Sequence, residues 1–438
     1  MFSDNQLEDL KHRAIEVLKL NNHTHFTKPS SKLYPHQWNW DSAFIAIGLS
    51  HIDQERAQKE IYSLLNGQWT NGMLPHIIYS QNNNDYLPNS DFWESKNIKN
   101  SPANISTSGI TQPPVLTFAA LNVYENSKDK YNAQKFLNDI YPKLLSYHRF
   151  LHEDRDLVGD GLICILHPWE SGLDNSPRWD KILQNIQNKN LSRINRIDNK
   201  LIAKHQRPTD KDYELYFFIA EKLKAQDYQI NNFLNLPFAV KDIMFNALAL
   251  LSLESLIHIC ELIQQDSSLL NKWYNNLSNA IITKLWSEEN NQFCDWDIIS
   301  DKVIDKLTIA NCIPLILNTL TKEQIESIVK LVKKNGEFWS ESGFPLSSIS
   351  LTSPEFNSQN YWRGPVWINM NWLIIQGLEK HEFNELAIDL SFETIRLISE
   401  SGFYEYFDPL TGEGCGSQNF SWTAALIIDI ITKLQKKL

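Results

Sequence analysis

The stretch NSQNYWRGPVWINMNWLIIQGL, residues 357–378, changes character at Gly364. Its first part is polar and aromatic; from Gly364 to Leu378 it is apolar on nearly every side. A helix with no polar face has nowhere to meet water, so it belongs to an inner layer. The same two-part pattern recurs along the chain. KLYPHQWNW (32–40) precedes DSAFIAIGL (41–49), NISTSGITQ (104–112) precedes PPVLTFAALNVY (113–124), and GEGCGSQN (412–419) precedes FSWTAALIIDII (420–431). TIANCIPLILNTL (308–320) is a further inner candidate.

Between these lie segments with apolar residues at helical period and one charged face, as an outer layer requires. Examples are 53–67 and 321–335; helical period also runs through 5–20, 133–151, 210–225, 242–264, 381–398 and 423–438. Several open on Asp, Thr or Ser, whose side chains cap the first free amides. Only LICILHP (162–168) and QFCDWDI (292–298) read as short strands. No linker or fixed repeat period interrupts the chain, which argues for one domain over 1–438 and against a solenoid. The expected fold is all-α: an (α/α)6 barrel, a double ring of helices with the polar-aromatic loops gathered at one mouth.

Composition narrows the function. Of 438 residues, 42% are hydrophobic, enough for a large core, and the formal net charge is -11. An acidic chain is a poor match for nucleic acid or an anionic membrane, which both call for a basic face. No uninterrupted apolar run approaches the roughly 20 residues that span a bilayer, and the amphipathic N-terminus lacks a signal-peptide core. Five scattered cysteines, none in a C-x-x-C pair, read as reduced thiols in a cytoplasmic protein. His36, His76 and His167 lack metal-ligand spacing and read as loop histidines. The 14 tryptophans, many in polar loops, suit a binding surface with apolar faces and N–H donors.

The loop HPWESGLDNSPRWD (167–180) carries Glu170, Asp174 and Asp180 among Trp169 and Trp179. Gly172 and Asn175-Ser176-Pro177 break any helix there and favour a rigid turn. A carboxyl pressed against tryptophan is desolvated, its pKa rises, and it can serve as a general acid near neutral pH. A second acidic loop, GFYEYFDPLTGEGCGSQNFSW (402–422), sets Glu405 between two tyrosines. Two such carboxylates at one mouth are the equipment of an inverting glycosidase, which spaces them about 6.5–9.5 Å apart to admit a water. Plainer roles compete: Asp41 as a helix cap, Glu170 as an ion-pair partner, Arg363 as a structural arginine, Asp180 and Asp408 as cap or turn residues.

YPHQWNWDSAF (34–44), WESGLDNSPRWD (169–180), YWRGPVW (361–367) and EYFDPLTGEGCGSQNFSW (405–422) together resemble glycoside hydrolase family 63. They are most similar to its short bacterial members that act on mannosylglycerate and glucosylglycerate. The resemblance runs from about residue 30 to the C-terminus. It implies an inverting α-glycosidase without cofactor or metal, acting on a small glycoside, with Asp174 as general acid and Glu405 as general base. It implies sugar-binding roles for Tyr34, Trp38, Trp40 and Asp41, with Trp169 and Gly172 beside them. Arg207 and Tyr213, in KHQRPTDKDYELY (204–216), would hold a glycerate carboxylate. Tyr86, Gln112, Tyr361, Trp362, Trp367 and Gln418 complete the implied substrate site. The expected reaction is hydrolysis of a 2-O-α-glycosyl-D-glycerate. A neutral α-glucosidase of the same family and a non-catalytic carbohydrate-binding protein remain as alternatives. A homo-oligomer is compatible with all three; glucose and mannose are not separated.

Overall fold

The computed structural model describes residues 2–80, 86–186, 194, 196–230 and 232–437, and it is predominantly helical. Its longer helices, in chain order, are α1 (Asp4–Asn21), α2 (Asn39–Leu49), α3 (Gln54–Asn66), α4 (Leu116–Asn126), α5 (Lys130–Arg149) and α6 (Asp210–Lys224). Then follow α7 (Ile243–Leu262), α8 (Ser268–Lys284), α9 (Lys322–Val332), α10 (Ile368–Lys380), α11 (Asn384–Ser401) and α12 (Ser421–Lys437). Caps act where the sequence places them: Ser3, Asp53, Asp129, Thr209, Asp242 and Thr321 each accept a backbone N–H of the first turn.

The apolar segments pack in a closed circuit. α2 lies on α4, α4 on α7, α7 on the 3-10 helix Ile309–Ile316, that helix on α10, α10 on α12, and α12 back on α2. Each carries a partner outside it: α3 on α2, α5 on α4, α8 on α7, α9 on the 3-10 helix, α11 on α10 and α1 on α12. Every residue of α2 is buried, as are Ser421–Ile431 of α12. Water is absent from both sides of such helices, which is why their sequences show no polar stripe.

Three expectations change. The segment 308–320 is not an α-helix; Pro314 sits inside it, removes an amide donor and leaves a 3-10 helix. The run 162–168 forms no strand, only a bridge from Ile165 to Val240, whereas 292–298 does contain Gln292–Phe293 and Asp295–Asp297. Finally, α7 is 20 residues long and contains an 18-residue window with a mean hydropathy of 1.8, enough by length and composition to cross a membrane, contrary to the reading of the sequence. Its most apolar window is 83% buried between α4 and the 3-10 helix, so its apolarity is spent on the core.

Candidate active site

The loops that precede the inner elements converge on a cavity of about 650 Å³. Its wall includes Tyr34, Trp38, Trp40, Asp41, Tyr86, Gln112, Trp169, Gly172, Asp174, Arg207, Tyr213, Tyr361 and Glu405. A short antiparallel ladder, Gln37–Trp38 with Ile77–Ile78, ties the first two loops together. Gln112, in the same connection between α3 and α4, accepts the Trp40 backbone N–H at 3.1 Å and adds a second tie. Asp41 stands in the first turn of α2, but the cap position belongs to Trp38. Its carboxyl therefore does not cap; it faces the cavity. Burial, then the charge of Glu405, pushes it well above the usual carboxylate range.

Glu405 sits on a hairpin, Tyr404–Phe407 paired with Gly414–Gln418, where the sequence suggested only a loop. Glu405, Tyr406 and Phe407 are all buried, the pairing is irregular between Tyr404 and Tyr406, and Glu405 lines the cavity. Tyr34 Oη donates to Glu405 Oε1 at 2.7 Å and Tyr361 Oη at 3.3 Å, and the Ser417 N–H donates to Oε2 at 3.1 Å. Burial raises its pKa despite the Arg207 charge and these donors.

Asp174 stands just beyond a 3-10 turn, Pro168–Ser171, that ends on Gly172 at φ 74°. Tyr216 donates to the Asp174 carbonyl at 2.9 Å, and Asn175 reaches the Tyr361 carbonyl at 2.9 Å. The turn is thus pinned from both sides. Burial pushes the Asp174 carboxyl up to about 7, against the pull of Arg207 and with a contribution from Glu405. The cavity therefore pairs a carboxyl that keeps its proton near neutrality with one held by three donors.

Gly172 has no room for a side chain. A Cβ there would lie 2.5 Å from the Trp40 ring, and its positive φ is a conformation that costs other residues about 1–2 kcal/mol. Gly172→Ala is expected to lower the unfolding free energy by at least that much and to move Trp40 out of place. Denaturant unfolding checks the first; wild-type stability would contradict the packing.

Glu170 is a supporting residue. Arg155 clasps it with two donors at 2.7 and 2.8 Å, and the Thr111 and Leu166 N–H groups donate to it at 3.1 and 2.7 Å. It thereby fastens the Asp174 turn to the loop bearing Gln112. Asp180 pairs with Arg363, and Asp408 accepts the Leu410 N–H within its turn and the Ser358 hydroxyl from a distant loop.

Three candidate substrate residues, and a tryptophan expected to cover the carboxyl, are not on the cavity wall. Trp362 and Trp367 stack on each other at 3.7 Å, 1% and 0% exposed, beneath Tyr361. Gln418 is exposed and donates to the Tyr404 hydroxyl on the far side of the hairpin. Trp179, expected to cover the carboxyl, is instead wholly buried, with its N–H on the Leu173 carbonyl at 3.0 Å. Conversely, Leu87, Pro88, Phe420 and Trp422 line the cavity without having been singled out, as does His76, which read as a loop histidine. His76 stacks near Trp169, and burial lowers its pKa to about 3, so it is a neutral imidazole. Its Nδ1 has no partner, a signal only the fold reveals. Among the described residues no cluster of His, Cys, Asp and Glu is arranged to hold a metal ion.

Arg207 is buried at 5% exposure on the same wall. Its Nε donates to Asp198 at 3.0 Å, and its other nitrogens reach the Tyr34 and Tyr213 hydroxyls at 3.1 and 3.3 Å. The guanidinium also lies over the Tyr361 ring, 4.4 Å from its centroid. Asp198 is in turn held by Arg196.

Residues 34–423 match the model of the mannosylglycerate hydrolase MGH1-like glycoside hydrolase domain. The chain is 38% identical to the mannosylglycerate hydrolase of Thermus thermophilus, over 95% of this chain and 99% of that protein. It is 34% identical to the glucosylglycerate hydrolase of Mycolicibacterium hassiacum, over 95% and 96%. A crystal structure of the family 63 mannosylglycerate hydrolase from Thermus thermophilus, in complex with Tris and D-glycerate, superposes with a TM-score of 0.90. That match covers 96% of this chain and 99% of the other, at 37% identity. Cavity, carboxyl pair and full-length likeness agree: the chain belongs to glycoside hydrolase family 63, among its mannosylglycerate hydrolase-like members.

Proposed function

We propose that this glycoside hydrolase cleaves 2-O-α-glycosyl-D-glycerate, the sugar being glucose or mannose, with inversion at the anomeric carbon. The observation that carries the reading is the carboxyl pair in one cavity with unlike environments. Asp174, with a pKa of about 7, protonates the glycosidic oxygen as the bond to the anomeric carbon breaks. Glu405, aligned by Tyr34, Tyr361 and Ser417, takes a proton from the attacking water. Trp38, Trp40 and Trp169 offer faces to sugar C–H groups, and Asp41 and Gln112 offer acceptors for hydroxyls. No metal or cofactor enters this scheme, since acid and base suffice. The free, buried state of all five cysteines supports a reducing, cytoplasmic setting. The closed circuit of six inner elements, each with an outer partner, supports an (α/α)6 barrel folded as one domain.

The glycerate end follows from Arg207, the cation on the cavity wall. A guanidinium meets a carboxylate with two parallel donors, which a lysine cannot match. Side-by-side kcat/KM values on glucosylglycerate, mannosylglycerate, glucosylglycerol, trehalose and kojibiose test the reading. Glycerate glycosides should be preferred, and Arg207→Lys should raise their KM by about tenfold or more, with little effect on glucosylglycerol. Equal use of the neutral glycosides would favour the neutral α-glucosidase reading instead.

A further inference from the structure

Three carboxyls share the cavity with a guanidinium. Asp41, Asp174 and Glu405 line it, against Arg207 as the cation among the described wall residues. Arg207 is engaged in a continuous chain: Asp198 accepts its Nε, Nη1 donates to the Tyr34 hydroxyl at 3.1 Å, and that hydroxyl donates to Glu405 at 2.7 Å. Nη1 also lies 3.7 Å from Glu405 Oε1. The residue assigned to the aglycone is thus one tyrosine away from the base, and its charge also reaches Asp174.

A carboxylate that lands on Arg207 brings a negative charge to that chain. We propose that the aglycone carboxylate sets the chemistry as well as the docking: by neutralising Arg207 it makes Asp174 and Glu405 hold protons more tightly, so that substrate binding loads the acid. This rests on the glycerate reading above. It predicts a coupling between subsites that a neutral glycoside of the same shape would not provoke.

The neighbouring groups leave those two carboxyls to respond. Arg207 faces Tyr34, Tyr86, Tyr213, Tyr361, Tyr406, Asp198 and Arg196 besides Asp174 and Glu405. Burial raises the pKa of each of these tyrosines above its ordinary value, so they stay neutral. Asp198, which burial alone would raise, is held at about 2 by Arg196 and Arg207 and stays ionised. Asp174 also faces Asp212 and Tyr216; Glu405 also faces Asp41. Asp174, near 7, is poised to change occupancy at neutral pH. A rise of one unit from there takes up about 0.4 proton at pH 7.

Calorimetry of D-glycerate binding at pH 7, in PIPES and in imidazole, reads that proton directly, because the two buffers differ in ionisation heat. The expected result is an uptake of a few tenths of a proton with D-glycerate and none with uncharged glyceramide. In Asp174→Asn, D-glycerate should still bind, and the uptake should fall to the share of Glu405. Binding without proton uptake would overturn the coupling and leave the glycerate reading standing. An uptake unchanged in Asp174→Asn would overturn the assignment to the acid. Failure of D-glycerate to bind would overturn the glycerate reading and the coupling with it.

Discussion

Glu405→Gln is expected to lower kcat on a glycosylglycerate by about 10²–10⁴-fold, the range a general base supplies. The amide keeps the size of the side chain and can still accept from Tyr34, but it cannot take a proton from water. The loss should fall on kcat more than on KM, because the abstraction occurs only in the transition state. Azide separates this role from a structural one. It needs no deprotonation, so it should restore turnover in Glu405→Gln and yield a β-glycosyl azide. Near-normal hydrolysis by the variant would remove Glu405 from the mechanism. Gly416 offers a neighbouring control: a Cβ there would meet Glu405 Oε2 at 2.6 Å, so the hairpin leaves the carboxylate one position.

Asp174→Asn should cost a similar factor on a glycosylglycerate, whose leaving alkoxide must be protonated. An α-glycosyl fluoride carries a leaving group that needs no proton, so the variant should recover most of its rate there. Glu405→Gln should not. The pH profile follows with its sign fixed. The acid must be protonated, so kcat/KM is held below about pH 7 and lost as pH rises through it. The base must be ionised, so activity is lost at low pH, with an acid limb that burial lifts above the ordinary carboxylate range. The two groups feel each other, so the two limbs belong to the pair. In Asp174→Asn the alkaline limb should disappear. Stability moves the same way. Asp174 binds its proton more tightly folded than unfolded, so its ionisation weakens the fold as pH rises from about 4 to 7. The asparagine variant is spared that cost and should melt no lower than wild type at pH 8.

The inner layer was legible because burial on all sides erases the polar stripe, as in 364–378 and 420–431. The loops before those segments were legible as a site because aromatic and carboxylate side chains gathered there for no structural reason. What escaped reading was orientation. Trp362, Trp367 and Trp179 have the composition of a sugar platform, yet they pack under the wall. Gln418 lies on the hairpin strand paired with the Glu405 strand but points outward, since side chains alternate along a strand. A loop reading of 402–422 contains no such alternation. Arg207 could be named from the sequence, but its bond to Tyr34, far away in the chain, exists only in the fold. His76 looked like any loop histidine until the fold placed it on the cavity wall near Trp169.

On the proposed mechanism, Asp174 and Glu405 work on opposite faces of an α-glycosidic bond to glycerate. Proton NMR of the first-formed sugar, recorded before mutarotation, tests it most directly. With 2-O-α-glucosyl- or mannosylglycerate as substrate, the β-anomer should appear first, together with free glycerate. Release of the α-anomer, or no release of glycerate, would contradict it.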